Sequence, residues 1–247
     1  MEMDELKLRG VVADELQNLV LESEDVEEFL RELSRYAAGA LSGTGRRVLC
    51  GITVVRRKKP AATAASDPEA LAMDEIQNEA GDGPCLAAMR ELRTIYVRDL
   101  AHDKQWPMFS QAAASRGYQS ILGVPVELGD QAQAALNLYA DAPSAFNAED
   151  ITQAENFAQQ AAKALRLALR IGRLHDARDS LAAAMESRTI IDMAVGAIMA
   201  QNRCSSEKAF AILKDASNTR NVKLREIAKA VIGSINGTAD VETHFDE

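Results

Sequence analysis

Asn147-Ala-Glu-Asp-Ile-Thr-Gln153 divides the chain into two kinds of sequence. Asn147 is a helix-capping residue, and Glu149 and Asp150 follow in the first turn, where carboxylates favour the positive end of the helix dipole. No proline occurs from there to Glu247, so a long helix is predicted. Along it Ala164, Leu167, Ile171, Leu174, Arg178, Leu181 and Met185 fall at alternating three- and four-residue steps, the seam of a coiled coil. Arg178 interrupts the apolar seam, and Gly172 weakens the helix locally. Such a face is covered either by the preceding domain or by a second chain. The reading favours a homodimer joined through Leu167, Ile171, Leu174, Leu181 and Met185 of a stalk spanning 160–187.

Beyond the stalk come three short apolar stripes at helical spacing. They are Ile191, Ala194, Val195 and Ile198; then Ala209, Ile212, Leu213 and Ala216; then Leu224, Ile227, Ala228, Val231, Ile232 and Ile235. Together they predict an all-α three-helix bundle over 182–236. Ser205, with Glu207 in the first turn, caps the second helix, and Asn218 to Asn221 forms the turn before the third. Gly196 costs about 1 kcal/mol mid-helix; beside Ala194, Ala197 and Ala200 it permits close approach by a neighbouring helix, the favoured alternative, or by a nucleic-acid backbone. The net charge is -9, yet residues 187–236 carry eight basic and four acidic side chains, which leaves +4 there and -13 elsewhere. A basic module on an acidic carrier fits a nucleic-acid partner.

Upstream of Asn147 the pattern changes. A helical lead-in over 1–24 precedes Asp25 and Glu28, placed as a capping pair for an amphipathic helix carrying Phe29, Leu30, Leu33, Ala37, Ala40 and Leu41. Val48 to Val55 is short, apolar and β-branched, hence a buried strand, followed by a basic loop. Pro68 to Glu79 is helical, Gly81-Asp82-Gly83-Pro84 breaks the chain, and Cys85 to Glu91 is helical again. Thr94 to Val97, Gly117 to Val126 and Ala134 to Ala140 complete the strands. The order predicts an α+β domain over 25–168.

Several of these pieces resemble a known family. Cys50-Gly-Ile-Thr53, Gly81-Asp-Gly-Pro-Cys85, Tyr96-Val-Arg-Asp-Leu100, Trp106-Pro-x-Phe109, Gly117-Tyr-Gln-Ser-Ile-Leu-Gly-Val-Pro-Val126 and Leu136-Asn-Leu-Tyr-Ala140 together resemble a GAF domain of the actinobacterial regulatory type. That resemblance implies an antiparallel sheet flanked by helices, with a pocket for an unidentified small ligand. Pockets of this kind are lined by apolar and aromatic groups, and the candidates are Tyr96, Trp106, Phe109, Tyr118 and Tyr139.

Arg188-Thr-Ile-Ile-Asp-Met-Ala-Val-Gly-Ala-Ile-Met199, Cys204 to Lys214 and Ala216 to Ala228 resemble an ANTAR domain. By that resemblance the module binds paired hairpin loops in nascent transcripts and prevents transcription termination. The residues matching the family's polar pattern are Arg188, Asp192, Lys214, Ser217, Asn221, Lys223 and Arg225. Val195 and Val222 stand where many members carry a basic side chain, which implies fewer phosphate contacts. Single-stranded loops expose phosphates and base edges. Lys223 and Arg225 suit the first and Asn221 and Ser217 the second, with Arg188 and Lys214 as further RNA-binding candidates. Phe210 lies beside Ala209 in a core-forming run, so stacking of bases on it is not expected. A helix-turn-helix reading, a DNA-binding regulator with the same sensor, is the alternative; it lacks a row of bidentate side chains for a major groove.

No apolar run approaches the roughly 20 residues of a membrane span, and a cytoplasmic protein is expected. Cys50, Cys85 and Cys204 are far apart, with no Cys-x-x-Cys pair and no His cluster, so neither disulfide nor structural zinc is expected. No nucleophile–base frame, paired carboxylates or phosphate-cradling Gly-rich loop is present; neither catalysis nor a cofactor is expected. The acidic tail over 237–247 is expected to be disordered.

Overall fold

The computed structural model describes residues 2–43, 47–56 and 61–236. The acidic tail over 237–247, most of the Gly43–Gly45 turn and most of the basic loop after the first strand lie outside the described residues. The chain divides into two compact units, Met1–Gly172 and Arg173–Glu247.

In the first unit the elements run α1 (Glu2–Glu22), α2 (Val26–Leu41), β1 (Val48–Arg56), β2 (Ala62–Ala65), α3 (Pro68–Ala80), α4 (Pro84–Glu91), β3 (Ile95–Val97), α5 (Pro107–Ser115), β4 (Ser120–Val126) and β5 (Ala132–Ala140). The sheet order is β2-β1-β5-β4-β3, and every pair is antiparallel. The predicted antiparallel sheet flanked by helices is therefore present. Three details differ. Ala62–Ala65 is a strand, where only a loop was expected; pairing with β1 imposes it on residues of weak strand propensity. β4 begins at Ser120, because Gly117 turns the chain with a φ of 88°. α5 was not expected and starts on Pro107, whose fixed φ suits a first helical position.

Strand alternation gives the sheet two unlike faces. On one, Cys50, Ile52, Val54, Leu122, Leu136 and Leu138 pack with Phe29, Leu30 and Leu33 of α2 and with Phe157 and Leu165. On the other, Leu49, Ile121 and Tyr139 meet Met73 of α3, Ala87 and Ala88 of α4 and Phe109 of α5. α6 (Ala148–Asn202) begins in this unit. Asn147 Oδ1 accepts from the backbone N–H of Glu149 and Asp150 at 2.8 and 3.0 Å, and Asp150 Oδ2 accepts from Asn147 N–H at 2.8 Å. α2 is capped by Asp25, which accepts from Glu28 N–H at 2.8 Å. Gly172 does more than soften α6, since a Cβ there would lie 2.7 Å from Val26 Cγ2.

The second unit holds the rest of α6, α7 (Ser206–Arg220) and α8 (Leu224–Asn236). Its core is Ile190, Ala194, Val195, Ile198, Ala209, Leu213, Ile227, Ala228 and Ile232. The first of the three predicted helices is the continuation of the stalk helix. Ile212 is not in the core as predicted but 43 % exposed, because a short helix between two others buries only a narrow stripe, here Ala209 and Leu213. α7 continues through Arg220, so the turn starts at Asn221 and not at Asn218. No described atom outside its own helix turn lies within 4 Å of a Cβ placed on Gly196, so the packing partner expected for it is not among the described residues.

Candidate RNA interface and sensor core

The α7–α8 turn gathers most of the predicted RNA-binding residues. Asn221 caps α7 in the left-handed region, φ 51°, where Asn is tolerated better than most residues. Its N–H reaches back to Asn218 O at 3.3 Å. Ser217 Oγ donates to Val222 O at 2.6 Å. Lys223 follows at the start of α8, and its carbonyl accepts from the N–H of Glu226 and Ile227. The hydroxyl assigned to base edges thus closes the turn that aims Lys223. Lys214 and Lys223 are both exposed, and among the described residues neither has an ion-pair partner.

The two arginines differ from the lysines. Arg225 is half-buried: its Nη2 donates to Glu186 Oε1 of α6 at 2.7 Å, and its Nε is buried without a hydrogen-bond partner among the described residues. Arg188 is exposed and lies 3.7 Å from Asp192 one turn along α6, a weak surface pair. Val195, one of the departures from the basic pattern, is buried in the core. Val222, the other, is exposed, as is Phe210 at 42 %. Phe210 is therefore available to solvent, against the expectation that it belongs to the core-forming run.

Along the stalk, Leu167, Leu174, Leu181 and Met185 are exposed, Leu174 and Leu181 at 63 % each. Ile171 is partly buried against the first unit's core, and Ala164 is within it. The seam is thus bare at every second step of its early part and continuously so later.

The five aromatic candidates of the sensor have mixed surroundings. Trp106, Phe109, Tyr118 and Tyr139 belong to the core on the α3–α5 face. Tyr118 donates to Glu69 Oε2 at 2.7 Å, and burial pushes its hydroxyl well up. Tyr96 accepts from Phe146 N–H at 2.9 Å and packs edge-on against the Phe146 ring. Cavities of about 600, 590 and 500 Å³ occur elsewhere in this unit. The first lies between α1 and α6 beside Gln17, Gln160 and Lys163; the second is beside Arg56 and Met89; the third is beside Arg93, Glu155 and Arg166. None of the five aromatics lines these three.

A polar set that the sequence reading missed occupies the centre of the α3–α5 face. Asp74, Gln77, Asn137 and Thr53 are fully buried there. Asp74 Oδ1 accepts from Asn137 Nδ2 at 2.7 Å and from the Tyr139 hydroxyl at 2.5 Å. Gln77 donates to the same hydroxyl at 3.2 Å and accepts from Cys85 N–H at 2.8 Å. Burial raises the Asp74 carboxyl to about 7, with Tyr139 and Asn137 opposing the rise. Tyr139 is pushed far up by burial and by the Asp74 charge, and so is Cys85. The legible signal was spacing: Ala70, Met73, Asp74 and Gln77 share one helical stripe.

Among the described residues no cluster of His, Cys, Asp and Glu could hold a metal ion, and no helix is long and apolar enough to cross a membrane. The GAF domain family matches residues 23–166, and the ANTAR domain matches residues 179–232. No curated protein matches the chain. Solved structures similar to part of this chain include the following. The GAF domain of an Acinetobacter phosphoenolpyruvate-protein phosphotransferase is 14 % identical with a TM-score of 0.47, over 67 % of this chain and 98 % of that one. An N-acylhomoserine lactone dependent LuxR family transcription factor from Burkholderia cenocepacia is 16 % identical, TM-score 0.48, over 66 % and 99 %. Free methionine-R-sulfoxide reductase from Neisseria meningitidis is 16 % identical, TM-score 0.45, over 69 % and 93 %.

Proposed function

We propose, from the premise that the chain belongs to the GAF domain family and carries an ANTAR domain, that it is a signal-responsive, RNA-binding antitermination regulator. GAF and ANTAR are regulatory domains, and the reading gives the chain no catalytic role. The GAF domain senses a small ligand. The ANTAR domain binds paired hairpin loops of a nascent transcript, as one half of a cytoplasmic homodimer.

The observation that carries the reading is a pair of exposed cations, Lys223 at the α7–α8 turn and Lys214 within α7, neither with an ion-pair partner among the described residues, in a segment that is basic while the rest of the chain is acidic. Point charges held on a helix and at its following turn attract phosphates without fixing a base sequence. The bare stripe of Leu174, Leu181 and Met185 supports the dimer, since exposed apolar residues repeating at heptad spacing bury best against a second helix of the same kind. Two modules then face two loops.

Binding of the purified full-length protein to a two-hairpin RNA tests this. Log affinity is expected to fall with log salt by about 0.7 per neutralised phosphate, and a single hairpin is expected to bind more weakly. Absence of binding at low salt, or a preference for duplex DNA in competition, overturns the reading.

A further inference from the structure

The two faces of the sheet in the first unit differ in a way that packing does not require. The α2 face buries two serine hydroxyls, Ser34 and Ser120, each satisfied by a backbone carbonyl, whereas the α3 face buries the carboxyl of Asp74 with Gln77, Asn137 and Thr53. Asp74 is the demanding member. Its Oδ1 has both donors, Asn137 and Tyr139. Its Oδ2 has no hydrogen-bond partner among the described residues and lies on the backbone of Gly51, so closely that a Cβ there would come within 1.8 Å of it.

Among the described residues, the titratable groups around it give no compensating positive charge. Tyr139 faces it from β5, Cys50 influences it from β1, Cys85 faces it from α4, and Glu75 is its neighbour on α3. β2, Ala62-Thr-Ala-Ala65, and α5, Pro107 to Ser115, also pack near α3 and contain no titratable side chain. Each neighbour is neutral or, when ionised, negative. An ionised carboxylate taken out of water without a cation is so costly that the group takes up a proton instead. None of the three cavities is lined by these side chains. A proton is the ligand this set accepts without any opening of the fold.

We propose that Asp74 is a proton-binding switch of the sensor domain, neutral when α3 is docked tightly on the sheet and loosening that docking when it ionises. This rests on the reading of the GAF domain as a sensor and names one thing it senses. Burial holds the carboxyl near 7 against an ordinary value of 3.8. A group raised in the folded state favours folding below its unfolded value and loses that contribution as pH rises to its folded value. The change therefore falls between about pH 4 and 7, and its upper end lies in the physiological range.

Infrared spectra of the full-length protein, recorded from about pH 5.5 to 8.5, test the switch without any variant. A protonated carboxylic C=O band from a buried group is expected at the acid end and lost at the alkaline end. Asp74→Asn is expected to remove the band. Tyr139→Phe deletes a donor that favours the charged form, and is expected to keep the band to higher pH; it carries the test if Asp74→Asn does not fold. No titrating band in the wild type, or a midpoint that Tyr139→Phe leaves unmoved, overturns the proposal. Affinity for two-hairpin RNA is measured in the same buffers. A titrating band with no RNA binding at any pH overturns the antitermination reading and upholds the switch, whereas RNA binding with no titrating band overturns the switch alone.

Discussion

Arg225 of α8 and Glu186 of α6 are joined at 2.7 Å, with both side chains about one-third exposed. This pair ties the last helix to the first within the second unit, and it gives Arg225 a different task from Lys223 two residues earlier. Arg225→Ala is expected to lower the stability of the second unit by about 1 kcal/mol, since a half-exposed pair is worth little by itself and the lost stem packing adds to it. Urea unfolding of the full-length protein checks this, and an unchanged midpoint would return Arg225 to the phosphate-binding set.

Lys223→Ala is expected to behave in the opposite way. The side chain is exposed and makes no ion pair with a described residue, so stability should stay within about 0.5 kcal/mol. RNA affinity should fall, and the slope of log affinity against log salt should shrink by about 0.7 per chain. Filter binding over a salt series measures both quantities, and an unchanged slope removes Lys223 from the interface.

Asn221 separates turn chemistry from base reading. Its φ of 51° penalises an ordinary L residue by roughly 1–2 kcal/mol, while glycine enters that region without strain. Asn221→Gly should therefore preserve folding, and Asn221→Val should destabilise α7 and α8. If Asn221→Gly also keeps full RNA affinity, the amide serves the turn; a loss of affinity with stability intact assigns it to the RNA.

How much of this was legible in the sequence follows from the kind of signal each element carries. β1 announces itself as an apolar, β-branched run, β5 as a loosely alternating one, and α8 as an almost unbroken stripe, so the sheet and the bundle could be read. Ala62–Ala65 could not, because alanines carry no strand preference and only the edge of β1 makes them a strand. Phe210 and Ile212 flank the buried positions of α7 by less than a turn, and spacing alone does not say how narrow the buried stripe will be. Asp74 and Gln77 lay on a readable stripe with Ala70 and Met73. They were missed because a polar residue in a helix is ordinarily solvated, and only the opposing Asn137, Tyr139 and Gly51, distant in sequence, make burial possible.

Exposed apolar positions on the stalk give a prediction about assembly. Leu174→Glu with Leu181→Glu places two carboxylates at positions already 63 % exposed in the isolated chain, so the folding of either unit should change little. In a dimer the same charges would meet across the seam. Sedimentation is expected to show a shift from dimer to monomer, with affinity for a two-hairpin RNA falling toward that for a single hairpin as the effective concentration of the second module is lost. A variant that remains dimeric overturns the stalk as the interface.

Two glycines, finally, are expected to respond to the same substitution with opposite signs. A methyl group on Gly51 would meet Asp74 Oδ2 at 1.8 Å inside a closed core, and the Asp74 carboxyl, with its hydrogen bonds, or α3 as a whole has to shift to admit it. Gly51→Ala should lower the stability of the first unit by about 1–3 kcal/mol, the usual cost of overpacking. Gly196 sits in mid-helix with nothing within 4 Å of the same methyl, so Gly196→Ala should stabilise the second unit by up to about 1 kcal/mol through helix propensity alone. Thermal unfolding of both variants checks the pair. If Gly196→Ala stabilises the protein but weakens RNA binding, the open space above that glycine is where an RNA backbone comes close; if stability falls instead, a second copy of the chain packs there.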